Sequence, residues 1–283
     1  MSHQDQLIEL VNKKISSGEV NLPVFDDIAL QINREVHENK LDAEQICKII
    51  EEDQVLVADL LRMANSSFFS GLSSVSNLRE AAVRLGVRQI ASIVFSVSQK
   101  KLYSASKGVF KARLTQLWHH TSAVSIGARW LAANAGYRNM ADEIFVAGLL
   151  HDIGKLSLLC ILEELIVSDG LDLSDEVVDE TLSSMYCEHG AQLLTLWNLP
   201  ESYKDIVMHL DDEVVDPHNV ALCIIRLVDK ACILEGLSDI PGEKAVELES
   251  MPEVEALSLS GEDLAELRLI LQEVRGERQV AAA

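Results

Sequence analysis

The chain is predicted to be all-α, with two helical halves and a C-terminal tail. Three observations predict this. Apolar residues recur at three- and four-residue spacing along most of the chain. Strand patterns are scarce, because few segments alternate and few β-branched runs are bounded by turns. Hydrophobic content of 48% beside 24% charged residues is that of a globular protein. With 283 residues the chain can hold one large domain or two small ones, with ample core.

The elements follow in order. Leu7, Leu10, Val11 and Ile15 lie at helical spacing, and Gly18 stops them, giving an N-terminal helix within residues 1–19. Pro23 suits a first helical turn, with Val24, Ile28, Ile32 and Val36 behind it. Asp42 with Gln45 reads as a capping box ahead of Ile46, Ile49 and Ile50. Val55 to Met63 is the next helix, with Asn65-Ser66 as a terminus or a ligand contact. A Gly/Ser-rich loop runs from Phe68 to Ser76. Asn77 caps a short helix closed by Gly86, and Ile90 to Val97 forms another. Ser104 to Lys111 is a polar junction.

The second half opens with a long helix holding Leu114, Leu117, Trp118, His119, His120, Val124 and Leu131. A small-residue apolar run from Val146 then ends at His151-Asp152, and a further helix starts near Leu156. Leu182 to Trp197 is helical up to Pro200, residues 201–210 end near His209, and Val220 to Leu234 contains Asp229. Gly236 to Ser260 is acidic, holds Pro241 and Pro252, and reads as loop. Leu264, Leu267, Leu271 and Val274 mark a last helix that packs on its own domain or, alternatively, makes a homodimer contact.

A net charge of −21 repels a phosphate backbone, and no basic patch offsets it, so no nucleic-acid partner is expected. The five cysteines form no CxxC pattern and read as buried thiols in a reducing cytoplasm. The first residues lack a basic region and an apolar signal core, and no apolar run approaches bilayer length, so no membrane association is expected.

The chemistry gathers around Val146 to Lys155. His151 and Asp152 sit side by side at the end of an apolar helix, where a carboxylate is rarely buried unless paired or bound to a metal. The alternative is a capped helix end with a satisfied core histidine. His120, His151, Asp152 and Asp229 together offer four N/O ligands from three helices, an arrangement that holds a metal inside a bundle. Their donor mix suits iron, manganese, zinc or nickel. His119 competes with His120, and adjacency lets one of them face inward. Consecutive residues stand about 100° apart on a helix, so His151 and Asp152 converge only on an ion between them or at a relaxed helix end.

The order His120, His151-Asp152, Asp229 resembles the signature of the HD superfamily of metal-dependent phosphohydrolases. His151 to Lys155, reading His-Asp-Ile-Gly-Lys, is similar to the form found in HD-GYP phosphodiesterases and in the related HDOD family. Leu22-Pro23, Leu60 to Ser66, Ala81 to Gly86, Leu117 to His120 and Leu196 to Pro200 resemble the HDOD pattern, over roughly residues 20 to 235. No Gly-Tyr-Pro signature follows the His-Asp motif. The resemblance implies a helical N-terminal part (20–103) packed on an HD-like bundle (110–235); the acidic linker and C-terminal helix (236–283) lie outside it. It implies a bacterial regulatory module that acts through a signalling protein or a small nucleotide. This sequence departs from the pattern at Tyr186, where the family often carries a histidine, with His189 beside Gly190 instead. It departs again at Leu210, which follows His209 where a histidine pair is common. The competing expectation is a phosphohydrolase in which Asp152, Lys155 and His209 act on a phosphoester, with a metal supplying a water of lowered pKa.

Overall fold

The computed structural model describes residues 3–17, 23–69, 74–105, 108–240 and 244–282, and all regular structure among them is helical. The N-terminal half comprises α1 (His3–Ser17), α2 (Asp27–His37), α3 (Ala43–Ile50), α4 (Gln54–Ala64), α5 (Leu78–Leu85) and α6 (Val87–Ala105). The second half comprises α7 (Lys111–Asn134), α8 (Ala141–Leu150), α9 (Ile153–Asp169), α10 (Asp175–Leu196), α11 (Glu201–Met208) and α12 (Val220–Leu234). The tail adds α13 (Pro252–Ala256) and α14 (Gly261–Ala282).

Side-chain caps set several boundaries. Asp42 accepts from the backbone N–H groups of Glu44 and Gln45 while Gln45 accepts from Asp42 N–H, a complete capping box. Asp26 accepts from Ile28 and Ala29, so α2 starts four residues later than Pro23 suggested, and the proline lies in the extended lead-in. Asn65 donates to and accepts from the backbone of Val75, at 2.9 and 2.8 Å, closing the loop between α4 and α5. Residues 70–73 of that loop and 106–107 of the junction lie outside the described residues.

Helix α6 joins the halves. Ile90 to Gln99 are all buried, the pattern of a helix enclosed on every side. It packs against α2, α4 and α5 of its own half and against α7 and α8 of the other. Gln99 donates to the carbonyl of Leu149 at 2.6 Å, and Ser92 to that of Asp142 at 3.1 Å. An aromatic cluster closes the same seam. Phe25 lies 4.5 Å from Phe95 and 5.0 Å from Trp197 between ring centroids, so Trp197 of the Leu-Trp-Asn-Leu-Pro stretch is a packing residue, with Leu199 buried beside it.

The segment expected to be loop, 236–260, contains a 3-10 turn (Leu248–Ser250) and α13. Arg226 holds this segment down. It donates to the fully buried Glu253 carboxylate at 2.6 Å and to the carbonyls of Leu210 and Asp212. The α14 stripe of Leu264, Leu267, Leu271 and Val274 is buried against α7 and α12 of the same chain. Each such side chain contributes about 1.5–3 kcal/mol.

Residues Arg138–Asp169, spanning α8 and α9, are long and apolar enough to cross a membrane by length and composition, contrary to the sequence expectation. The fold itself accounts for that character. Within the apolar window 94% of residues are buried, and the stretch carries the buried His151, Asp152 and Lys155.

Candidate metal centre

Two close backbone approaches build the site. A Cβ at Gly148 of α8 would stand 2.6 Å from Ser125 Cα of α7, so these antiparallel helices touch at main-chain distance. His120 and His151, a turn or so further along, are thereby brought together. At Gly154 of α9 a Cβ would fall 1.9 Å from the carbonyl oxygen of Tyr186, on α10. The glycine of the His-Asp-Ile-Gly-Lys stretch therefore lets α10 lie directly over the site.

The chain turns between α8 and α9 at His151 (φ −54°, ψ −33°) and Asp152 (φ −109°, ψ 18°), which resolves the problem of adjacent ligands. At this break both side chains point the same way, with His151 Nε2 3.3 Å from Asp152 Oδ2. His120 Nε2 lies 3.2 Å from His151 Nε2, 3.1 Å from Asp229 Oδ1 and 3.6 Å from Asp152 Oδ2. The other three residues singled out as ligands thus lie within 3.6 Å of His120 Nε2. His119 is exposed on another face of α7.

The imidazole tautomers follow from the backbone. His120 Nδ1–H donates to the carbonyl of Leu237 at 3.0 Å, and His151 Nδ1–H to that of Gly148 at 2.7 Å. Carbonyl oxygens only accept, so both Nε2 atoms carry lone pairs when the rings are neutral. Two lone pairs facing each other at 3.2 Å need a proton or a cation between them. Nitrogens bound to one ion at about 2.0–2.1 Å stand about 2.9–3.4 Å apart at octahedral or tetrahedral angles, which matches. The carbonyl partners also supply the outer contacts that orient metal-binding histidines. The residues present fit a divalent ion.

Asp239 is a fifth donor residue and the third carboxylate, which sequence reasoning missed. It follows α12 in the segment expected to be loop, where one acid among many carries no periodic signal. Its Oδ1 stands 3.9 Å from His120 Nε2. Two ligand-sized groups therefore share His120, one with His151 and Asp229 and the other with Asp152 and Asp239. Lys155 bridges the second group, 2.7 Å from Asp152 Oδ2 and 3.0 Å from Asp239 Oδ2, and its ammonium lies 5.1 Å from the Tyr186 ring centroid.

Burial and charge oppose each other here. Burial acts against a charged His120, but the hydrogen bond to Asp229 and the charges of Asp239, Asp229 and Asp152 outweigh it and push its pKa up to about 9. Burial would raise Asp229, yet the bond from His120 and its charge hold it below the usual carboxylate range. Asp152 is likewise held well down, with burial overcome by His151 and Lys155. Burial would lower Lys155, and Asp152 and Asp239 raise it instead.

A cavity of about 110 Å³ adjoins the cluster and reaches Arg113, Asp179, Tyr186, Asp211 and Lys230. Tyr186 donates its hydroxyl to Asp211, and burial with the charges of Asp152 and Asp211 pushes its pKa up. His209, considered as a phosphate contact, does not line this cavity. It is half exposed and tied to Asp212 at 2.7 Å, because the C-terminus of α11 turns it toward the acidic turn behind it. His189 points to Ser157 Oγ at 2.9 Å between α9 and α10, and burial lowers its pKa.

An antiparallel helix pair that closes a buried His/Asp cluster, with further helices over it, defines a helical bundle of the HD type with a packed N-terminal helical part. The model of the HDOD domain matches residues 22–212, and the chain belongs to the HDOD family. A Treponema pallidum (strain Nichols) protein without an assigned function is 26% identical over 187 residues, 64% of this chain. The chain spans about a third of that relative's length (36%). Two solved structures share the fold nearly end to end. An HDOD domain protein of unknown function from Geobacter sulfurreducens has a TM-score of 0.73 at 23% identity, covering 95% of this chain and 98% of its own. A protein from Shewanella amazonensis SB2B, named as a candidate metal-dependent phosphohydrolase, has a TM-score of 0.75 at 22% identity, covering 97% and 99%.

Proposed function

We propose that this chain is a bacterial signal-transduction module of the HDOD type that works by binding a signalling protein or a small nucleotide, with one divalent transition metal at its centre. His120, His151, Asp152 and Asp229 would hold the ion, with Asp239 beside them. The N/O donor set favours iron, manganese, zinc or nickel. A bound ion there supplies Lewis acidity and ties three helices together.

One observation carries the regulatory reading. Every cation lining the adjoining cavity is already paired: Arg113 with Asp175 and Asp179, Lys155 with Asp152 and Asp239, and Lys230 with Asp229. A phosphoester entering it meets no unpaired side-chain cation. The cavity is also small beside ligand sites of about 300–1,000 Å³.

The second reading, a phosphohydrolase, is favoured by the gathering of His151, Asp152 and Asp229 around His120 and by the Shewanella neighbour's name. Lys155 would then hold Asp152 in place at Oδ2, and the Asp152 carboxylate would take the proton of the attacking water. A turnover screen of the metal-loaded protein separates the two. Bis(p-nitrophenyl) phosphate, nucleoside mono- and triphosphates and cyclic dinucleotides are expected to remain intact. Hydrolysis that His151→Ala abolishes would overturn the regulatory reading.

A further inference from the structure

A second cavity, of about 530 Å³, opens between α4, α6 and α7, within the size range of small-molecule sites. Its key residues are Arg62 from α4, Phe68 from the following loop, Lys100 and Lys101 from α6, and Trp118 and Ser122 from α7. Trp118 and Ser122 stand about 200° around α7 from His120, so the helix separates this cavity from the metal centre.

Its chemistry runs against the rest of the molecule. The chain carries −21 overall, yet Arg62, Lys100 and Lys101 face a single lining carboxylate, Asp59. Asp59 pairs with Arg62 at 2.6 Å, and Lys101 has only a long contact to Asp53, at 3.9 Å. Among the described residues Lys100 makes no ion pair. The Oγ of Ser122, beneath the cavity wall, is buried without a hydrogen-bond partner. Trp118 is half-buried and braced by Tyr103, with ring centroids 5.5 Å apart, so the indole is a fixed surface.

We propose that this cavity binds a nucleotide, its base against Trp118 and Phe68 and its phosphates on Lys100, Lys101 and Arg62. Aromatic faces accept any base, and clustered cations hold phosphate. The overall charge disfavours a long polyanionic strand and leaves a small one acceptable. The site is independent of the metal centre and of any turnover there.

Isothermal titration calorimetry of the full chain tests this with ATP and GTP as probes, beside adenosine and inorganic triphosphate. Saturable binding of ATP or GTP is expected, weakened at least about tenfold by Lys100→Glu/Lys101→Glu, which alters two exposed side chains, and similarly by Trp118→Leu. His151→Ala should retain the affinity. No saturation by either nucleotide at about 1 mM, where even weak binding near −4 kcal/mol registers, would overturn the proposal. So would undiminished binding in the double lysine variant, or triphosphate binding as tightly as the nucleotides. Loss in His151→Ala with retention in the lysine variant would move the ligand to the metal centre and equally overturn it.

Discussion

The two faces of α7 handle charge in opposite ways. On one face, His120 enters a buried cluster in which each carboxylate is matched by an ammonium or an imidazole. On the other, Trp118 and Ser122 border an open cavity where positive charge exceeds negative. Buried charge must be paired where it stands, because partners removed from water are costly to separate. Exposed charge on a cavity wall is solvated and can wait for a ligand. The same residue type therefore has different duties at Lys155 and Lys100.

Lysine replacement gives the largest contrast. In the metal-free protein, Lys155→Met leaves Asp152 and Asp239 buried without their shared cation and should cost about 3–5 kcal/mol in urea unfolding. Lys100→Met, on an exposed side chain, should stay within about 0.5 kcal/mol. Equal effects would break the comparison. Adding Asp239→Asn to Lys155→Met should recover part of the loss, and a double-mutant cycle reads the coupling.

Backbone packing comes next. Gly154→Ala would place a Cβ 1.9 Å from the Tyr186 carbonyl oxygen and should cost about 3 kcal/mol or more. Gly276, in α14, has nothing within 4 Å of the added carbon, so Gly276→Ala should be neutral or stabilise by up to about 1 kcal/mol.

pH gives a smaller effect with a definite sign. His120 is raised from 6.5 to about 9, so its contribution to metal-free stability is full below 6.5 and is lost as pH rises through about 9. Asp152 and Asp229 are depressed, so theirs is present above the usual carboxylate range and lost only on strong acidification. A metal at His120 must displace its proton. Apparent affinity in a chelator competition should therefore climb about tenfold per pH unit between 6.5 and 9. A flat profile would exclude His120 as a ligand. The smallest effect is expected at His209: His209→Ala should leave metal content unchanged and shift stability by less than about 0.5 kcal/mol.

Much of this was legible in the sequence. Helical periodicity, the Asp42 capping box and the apolar run into His151-Asp152 are local signals, and the structure follows them. The convergence of His120, His151, Asp152 and Asp229 was readable from residue type and order. What escaped depends on contacts distant in sequence. Asp239 joins the cluster only because the chain after α12 folds back so that the Leu237 carbonyl meets His120. The tail is ordered through Arg226 and Glu253, a pairing 27 residues apart that no local pattern announces. The basic wall of the second cavity is assembled from two helices distant in sequence, with one cation from α4 and two from α6, so no linear cluster marks it.

The central claim is that the facing imidazoles of His120 and His151 enclose a metal ion. Elemental mass spectrometry of the purified protein, beside His151→Ala, tests it most directly. One equivalent of a divalent transition metal in the wild type, absent from the variant, is the predicted result. A wild type that holds none, even after anaerobic reconstitution with iron, manganese, zinc or nickel, would contradict it and assign the gap between the two Nε2 atoms to a proton.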